Sequence, residues 1–361
     1  MTMQIHQILP TLSPADAIGN EVRLMQKLFQ EWGYTSSIFA EHWHPDTPAL
    51  NYKHYKKYSQ KENILIYHYA IGSDITEFFK NTADHKILIY HNLTPAEYFK
   101  GVNEELYNFL IKGRDSLPSL VPFVELAIGD SEYNRQELES MGFSRTAVLP
   151  ILIDFDTYHR FNASIVDKYS DDYVNLLFVG RISPNKKQED ILKIFYYYKS
   201  INPKSRLFLI GGYKGCERYI DQLHTIIKKL HLSDVVLTGS VPFTDLISYY
   251  KIADIFLCMS EHEGFCVPLV ESMFFDIPII AYNSTAVPHT LGNSGILVRE
   301  KKYDEIAELI HVIAEDNTLK KRIIEGEKER LKTFEFDEIK RKLMTIVNEV
   351  TSSDCPKSEN F

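Results

Sequence analysis

Short apolar runs separated by longer amphipathic stretches repeat along the whole chain, and this alternation limits its fold more than any other feature. In the first half the runs are Ile5–Leu9, Ser36–Phe39, Ile64–Tyr67, Ile87–Tyr90, Glu125–Ile128 and Ala147–Leu149. In the second half they are Asn175–Val179, Leu207–Ile210, Val235–Leu237, Ile255–Cys258, Ile277–Ala281 and Ile296–Val298. Runs this short read as strands, and strands alternating with helical patterns build βαβ units and parallel sheets. Two sets of about six strands fit an α/β protein of two Rossmann-like domains. A single (β/α)8 barrel is the architectural alternative, but about twelve strands overshoot it.

The 361 residues provide material for two cores. A polar stretch without strand periodicity places the domain boundary between Asp156 and Asp172. The expected domains are therefore residues 1–160 and 173–336. A last helix, near residues 337–350, follows the aromatic break Phe334-Glu335-Phe336, and the polar tail Thr351–Phe361 reads as disordered.

Composition excludes several classes of function. The net charge of −9 gives no broad footprint for nucleic acid. Cys216, Cys258, Cys266 and Cys355 form no CxxC pair, which argues against a zinc site or a disulfide framework and fits a reducing compartment. No apolar run reaches the roughly 18 residues of a membrane span. The N-terminus lacks a signal-peptide pattern. The expectation is a cytoplasmic protein, with peripheral contact at the inner face of the membrane as an option. The one segment that would serve such contact is Asn51–Tyr58, where bases and aromatics interleave; it reads more simply as a solvated loop.

Two carboxylates carry the strongest chemical signal. Glu263 and Glu271 bracket the run Glu263-Gly264-Phe265-Cys266-Val267-Pro268-Leu269-Val270-Glu271. A strand ends at Cys258, a tight turn follows, and a helix begins near Val267. A helix N-terminus with exposed backbone N–H groups receives anions. Carboxylates beside it suit the hydroxyls of a sugar or ribose, which donate to them. The second signal is Phe178-Val179-Gly180-Arg181-Ile182-Ser183-Pro184-Asn185-Lys186. Here a strand ends at Gly180 and presents Arg181, then Lys186, as fixed positive charge of the kind a leaving diphosphate needs.

The Glu263/Glu271 run resembles the Glu-x7-Glu signature of retaining nucleotide-sugar glycosyltransferases of family four, and the Gly180-Arg181…Lys186 order matches the same family. That resemblance covers nearly the whole chain. It implies the GT-B fold, two Rossmann-like domains facing a cleft, with the C-terminal helix crossing back to the first domain. It further implies that the first domain binds a glycan or glycolipid acceptor and the second a nucleoside-diphosphate sugar. By the resemblance, Arg181 and Lys186 hold the diphosphate, Glu263 and His91 meet the donor sugar, and Glu271 meets the ribose. Gly264, Phe265 and Cys266 supply the turn and count among the expected substrate-binding residues, as do Gly19 and Asp16 of the first domain. Neither a metal nor a separate cofactor is implied, and the reaction is transfer of a hexose-type sugar to a hydroxyl with retention, in polysaccharide or glycolipid assembly. Two alternatives share the scaffold: a nucleotide-sugar epimerase, and a non-catalytic nucleotide- or glycan-binding protein.

The sequence departs from the family pattern in places. Relatives carry a Gly-Gly pair after the first strand; this chain has only Gly19, with Asp16 and Asn20 beside it, so that a diphosphate contact there is open. Asp16 and Asn20 fit either acceptor contact or turn and N-cap roles. Cys266 takes a position that is often Gly, and is expected to offer its backbone N–H if its φ is negative. His289 replaces the usual Glu after Pro288. His68, ending the strand before that of His91, reads equally well as a packing residue or a site residue. Asp154-Phe155-Asp156 is a formal DxD, but at the domain boundary it reads as linker and helix-cap chemistry.

Overall fold

The computed structural model describes residues 3–14 and 16–352, and side chains only as far as Val350. The tail beyond Ser352, including Cys355, lies outside the described residues. The chain divides into two compact units. The first comprises the chain up to Leu93, residues 108–153 and the C-terminal helix from Phe334. The second comprises Thr94–Tyr107 and Asp154–Thr333.

In the first unit the strands are β1 (Ile5–Leu12), β2 (Ile38–Trp43), β3 (Leu50–Asn51), β4 (Ile64–Tyr69), β5 (His85–Tyr90), β6 (Leu126–Gly129) and β7 (Thr146–Val148). They form one sheet in the order β3-β2-β1-β4-β5-β6-β7, parallel throughout. The second unit contains β8 (Val174–Val179), β9 (Ser205–Ile210), β10 (Val235–Gly239), β11 (Ile255–Cys258), β12 (Ile279–Tyr282) and β13 (Ile296–Val298). Their order is β10-β9-β8-β11-β12-β13, again parallel. Parallel sheets are covered on both faces, so their central strands carry apolar residues at consecutive positions rather than alternating ones. Every residue of β4 and of β9 is buried, as this requires.

The C-terminal helix Phe336–Ser352 packs on the first sheet. Ile339, Leu343, Ile346, Val347 and Val350 recur at helical spacing and join Ile5, Ile64 and Ile87 in one core. Burying each of these side chains contributes about 1.5–3 kcal/mol before the cost of ordering the helix. That core explains why the C-terminal helix belongs with the strands of the first unit.

One expectation is corrected. Asn51–Tyr58 is not a solvated loop: Leu50–Asn51 is the edge strand β3, and Tyr52–Lys57 is a 3-10 helix. Residues three apart eclipse on such a helix. Tyr52 and Tyr55 therefore share a buried face, where the Tyr55 hydroxyl donates to Asp84 at 2.7 Å. Lys53, His54, Lys56 and Lys57 remain exposed.

Candidate functional site

In an open parallel sheet, ligands bind beyond the C-terminal ends of the strands, where the strand order reverses. In the second unit the chain goes from β8 to β9 and β10 on one side, then places β11 on the other side of β8. The reversal thus lies between β8 and β11. Lys186, in the turn after β8, and Glu263, in the loop after β11, meet there: Lys186 Nζ donates to Glu263 Oε2 at 2.6 Å. Glu263 is nearly buried, at 6% exposure, while the Lys186 side chain keeps 21%. Burial alone would lower the Lys186 pKa, but the Glu263 carboxylate holds it above its ordinary value. The Glu263 backbone is pinned by Thr285, whose hydroxyl accepts from Glu263 N at 2.8 Å and lies 3.0 Å from Glu263 O.

Arg181 follows β8 directly, is exposed, and donates to the Lys214 carbonyl in the loop after β9 at 3.0 Å. The close approach of these two strand ends depends on glycine. Gly211 has φ +152, and a Cβ there would lie 1.9 Å from the Gly180 carbonyl oxygen. Arg181 and Lys186 thus both follow β8 but touch different partners, the Lys214 carbonyl and Glu263.

Glu271 lies on the helix Val267–Phe274, and both its oxygens are engaged. Tyr158 donates to Oε1 at 2.7 Å and Tyr250 to Oε2 at 2.5 Å. Burial pushes the Glu271 carboxyl up, and the two phenols counter it only in part. Gly264 and Phe265 lie in the loop before this helix, where the Phe265 carbonyl accepts from Thr290. The condition on Cys266, a negative φ, is not met: it caps this helix with φ +73 and ψ +66. Left-handed geometry costs a residue with a Cβ roughly 1–2 kcal/mol, which is why glycine suits the position.

The segment Thr94–Tyr107 leaves β5 yet packs in the second unit. Asn103 donates to the Gly215 carbonyl at 2.9 Å, Tyr98 to Glu261 at 3.2 Å, and Arg218 to the Gly101 carbonyl at 2.7 Å. The Phe99 ring lies 6.0 Å from the Arg181 guanidinium.

In the first unit the reversal falls between β1 and β4. Asp16 is an N-cap: its Oδ1 accepts from Gly19 N at 2.7 Å. Gly19 serves loop closure, because a Cβ there would lie 2.2 Å from the Ser13 carbonyl oxygen. Asn20 accepts from Arg23. His91 and His68 are joined, with His91 Nε2 2.9 Å from His68 Nδ1. His91 Nδ1 lies 2.9 Å from Asp130 Oδ2 and 3.8 Å from Glu21 Oε2, and His68 Nε2 lies 3.0 Å from Gln7 Oε1. Both ring nitrogens of His91, through which it would reach a sugar, are thus engaged within the unit.

Among the described residues, two groups bring three potential metal ligands within 4.8 Å: Glu21 with His68 and His91, and Cys258 with Glu263 and Cys266. In the first, the two rings hydrogen-bond to each other. In the second, the Lys186 ammonium already occupies Glu263 and would repel a cation. The DxD residue Asp154 caps a 3-10 helix, accepting from Asp156 N at 3.1 Å. His289 offers its carbonyl to Arg330 at 2.6 Å.

Sequence reasoning missed Tyr158, Tyr250, Thr285, Gln7, Glu21 and Asp130. Only Glu21 and Asp130 left a signal: an acid on the buried face of the amphipathic helix Ala17–Glu31, and one directly after a strand.

Residues 164–330 match the family model described as "Glycosyl transferases group 1". One sequence relative is the O-antigen chain mannosyltransferase B of Escherichia coli, 25% identical over 143 residues, covering 39% of this chain and 37% of that one. Another is the capsular polysaccharide biosynthesis glycosyltransferase CapM of Staphylococcus aureus, 27% identical over 177 residues, covering 47% and 45%. The chain spans less than half the length of these curated relatives in the matched regions. Anabaena HepE, solved in complex with UDP-glucose, has a TM-score of 0.75 against this chain at 16% identity, covering 96% of this chain and 100% of that one. This likeness is one of fold, the GT-B architecture of two parallel sheets with helices.

Proposed function

We propose that this chain, whose residues 164–330 match the glycosyl transferases group 1 family, is a retaining glycosyltransferase that moves a hexose-type sugar from a nucleoside diphosphate to an acceptor hydroxyl. The observation that carries this reading is the Lys186–Glu263 pair at the strand-order reversal of the second unit, with Arg181 on the same strand end. Lysine has three donors, so Lys186 can take a phosphate oxygen while still bonded to Glu263. Arg181 adds a planar fork for the other phosphate. Together they stabilise charge on the leaving diphosphate, the task a divalent ion would otherwise perform. Glu263 then accepts from sugar hydroxyls. Each oxygen of Glu271 keeps a second lone pair for a ribose hydroxyl beside its tyrosine. His91 has no unengaged ring N–H, so its part is assigned to its charge rather than to contact.

One named relative is an O-antigen chain mannosyltransferase and another a glycosyltransferase of capsular polysaccharide biosynthesis, and HepE is solved with UDP-glucose, which supports a nucleotide hexose as donor and a glycan or glycolipid as acceptor. On this reading the reaction runs in the cytoplasm, with the inner face of the membrane as an option. The first unit binds the acceptor and the second the nucleotide. The test is a panel of nucleotide sugars assayed for nucleoside-diphosphate release with and without EDTA, with the anomeric configuration of any product read by NMR. Release that survives EDTA, with a retained anomer, is expected. An inverted product would remove the retaining assignment, and activity that needs added Mn²⁺ would remove the metal-independent one. Conversion of the donor without an acceptor would favour an epimerase.

A further inference from the structure

The buried polar chain in the first unit has a direction, and the direction sets the protonation of His91. Gln7 Nε2 donates to the Val22 carbonyl at 2.9 Å, which orients the amide and leaves Oε1, an acceptor, facing His68. His68 Nε2 must therefore carry a proton. His68 is buried, which disfavours a second proton on its ring, so its Nδ1 accepts. His91 Nε2, 2.9 Å away, must then be the donor. The other nitrogen of His91 faces Asp130 Oδ2 at 2.9 Å, with Glu21 Oε2 at 3.8 Å. An ionised Asp130 can only accept, so His91 Nδ1 carries a proton as well.

We infer that Gln7, acting through His68, and Asp130 are positioning residues that hold His91 as a buried imidazolium beneath the C-terminal ends of β1, β4 and β5. The charges balance if only one of the two acids is ionised. Asp130 is the closer to His91, and Glu21 is the acid that keeps its proton. Burial raises both carboxyls, Glu21's to about 8, and each keeps one oxygen without a hydrogen-bond partner among the described residues, so it is the 2.9 Å contact of Asp130 with His91, against 3.8 Å for Glu21, that assigns the charge to Asp130. The groups that face His91 are Asp130 after β6, Glu21 on the helix Ala17–Glu31, Asp16 at its cap, and His68 on β4. Burial opposes the charge on the His91 ring, but the ionised Asp130 beside it outweighs burial and holds its pKa above the ordinary value, while buried His68 is neutral. His91 thus keeps its charge across the range where a free histidine, with a pKa near ~6.5, loses it.

The inference rests on the proposed function only for what the charge serves; the protonation itself is read without activity. In protein labelled with 15N-histidine, the two nitrogens of His91 should both show protonated shifts from pH 6 to 8, and His68 should show a proton on Nε2 alone. Gln7→Leu removes the acceptor that orients His68. His68 can then turn its proton toward His91, which becomes neutral near pH 7, and the rate profile gains a limb near pH 6–7 of about tenfold. Asp130→Asn should neutralise the ring by the other route, and circular dichroism confirms that each variant is folded. A neutral His91 in the wild type at pH 7, or a His91 signal unchanged in both folded variants, overturns the inference. A charged His91 in the wild type, together with full transfer activity in folded His91→Gln, leaves the protonation standing and removes the role in transfer.

Discussion

The Lys186–Glu263 pair allows stability and function to be separated by a double-mutant cycle. At 2.6 Å with an effective dielectric near 20, the attraction is about 6 kcal/mol before desolvation is subtracted. Removing one partner of a fully buried pair costs about 3–5 kcal/mol, because the other is left charged and unpaired. Lys186 is one-fifth exposed, at 21%, so its loss should sit lower, at about 2–4 kcal/mol. Glu263→Gln costs less, about 1–2 kcal/mol, since Lys186 reaches water and the amide oxygen still accepts. The double variant Lys186→Met/Glu263→Gln carries no stranded charge and should lose only about 1–2 kcal/mol. Urea unfolding of the four proteins should therefore give a coupling energy of about 3 kcal/mol. Single-variant losses that add to within roughly 0.5 kcal/mol would refute the pair as a structural unit. Transfer activity should not follow stability: it should stay low in the double variant, since the diphosphate has still lost its lysine.

Three other outcomes follow from particular residues. At Cys266, φ +73 inverts the usual ranking of Ala over Gly, so Cys266→Gly should be more stable than Cys266→Ala by about 0.5–1 kcal/mol in urea unfolding; the reverse order would exclude left-handed geometry there. Tyr250→Phe should cost about 1.5–3 kcal/mol, the range for a hydrogen bond to a charged group, because it strips the buried Glu271 of one of its two donors; a loss under roughly 0.5 kcal/mol would contradict that contact. Burial raises the Glu327 carboxyl to about 8 from its ordinary 4.5, so the folded form holds a proton that the unfolded chain releases. Its stability contribution is full below pH 4.5 and is lost as pH rises to about 8, and Glu327→Gln should flatten the stability profile in that window by roughly 1–3 kcal/mol.

The fold was legible because a parallel sheet buried on both faces writes each strand as an apolar run. Ile64–Tyr67 and Leu207–Ile210 lie within β4 and β9 for that reason. The strand β3 was not legible, since two residues at a sheet edge leave no pattern. Neither was the place of Thr94–Tyr107: it is joined to the second unit by the Asn103 amide and the Tyr98 hydroxyl, and polar contacts across long sequence separation have no period. In the candidate site, Lys186 and Glu263 were legible because strand ends present charge at the sheet's reversal. Tyr158 and Tyr250 were not, because an aromatic residue reads as core until its hydroxyl is seen on Glu271. The geometry of Cys266 was also hidden, since a lone cysteine does not announce a left-handed turn.

The central claim is that the strand-order reversal between β8 and β11 binds a nucleoside-diphosphate sugar through Lys186 and Arg181. Calorimetric titration of nucleoside diphosphates carrying the common bases tests it most directly, comparing wild type with Arg181→Ala and with Lys186→Met/Glu263→Gln. The wild type should bind at least one of them, and each folded variant should bind it at least about tenfold more weakly, as loss of a charge-assisted contact worth about 1.5–3 kcal/mol requires. Equal affinity in the wild type and both folded variants would contradict it.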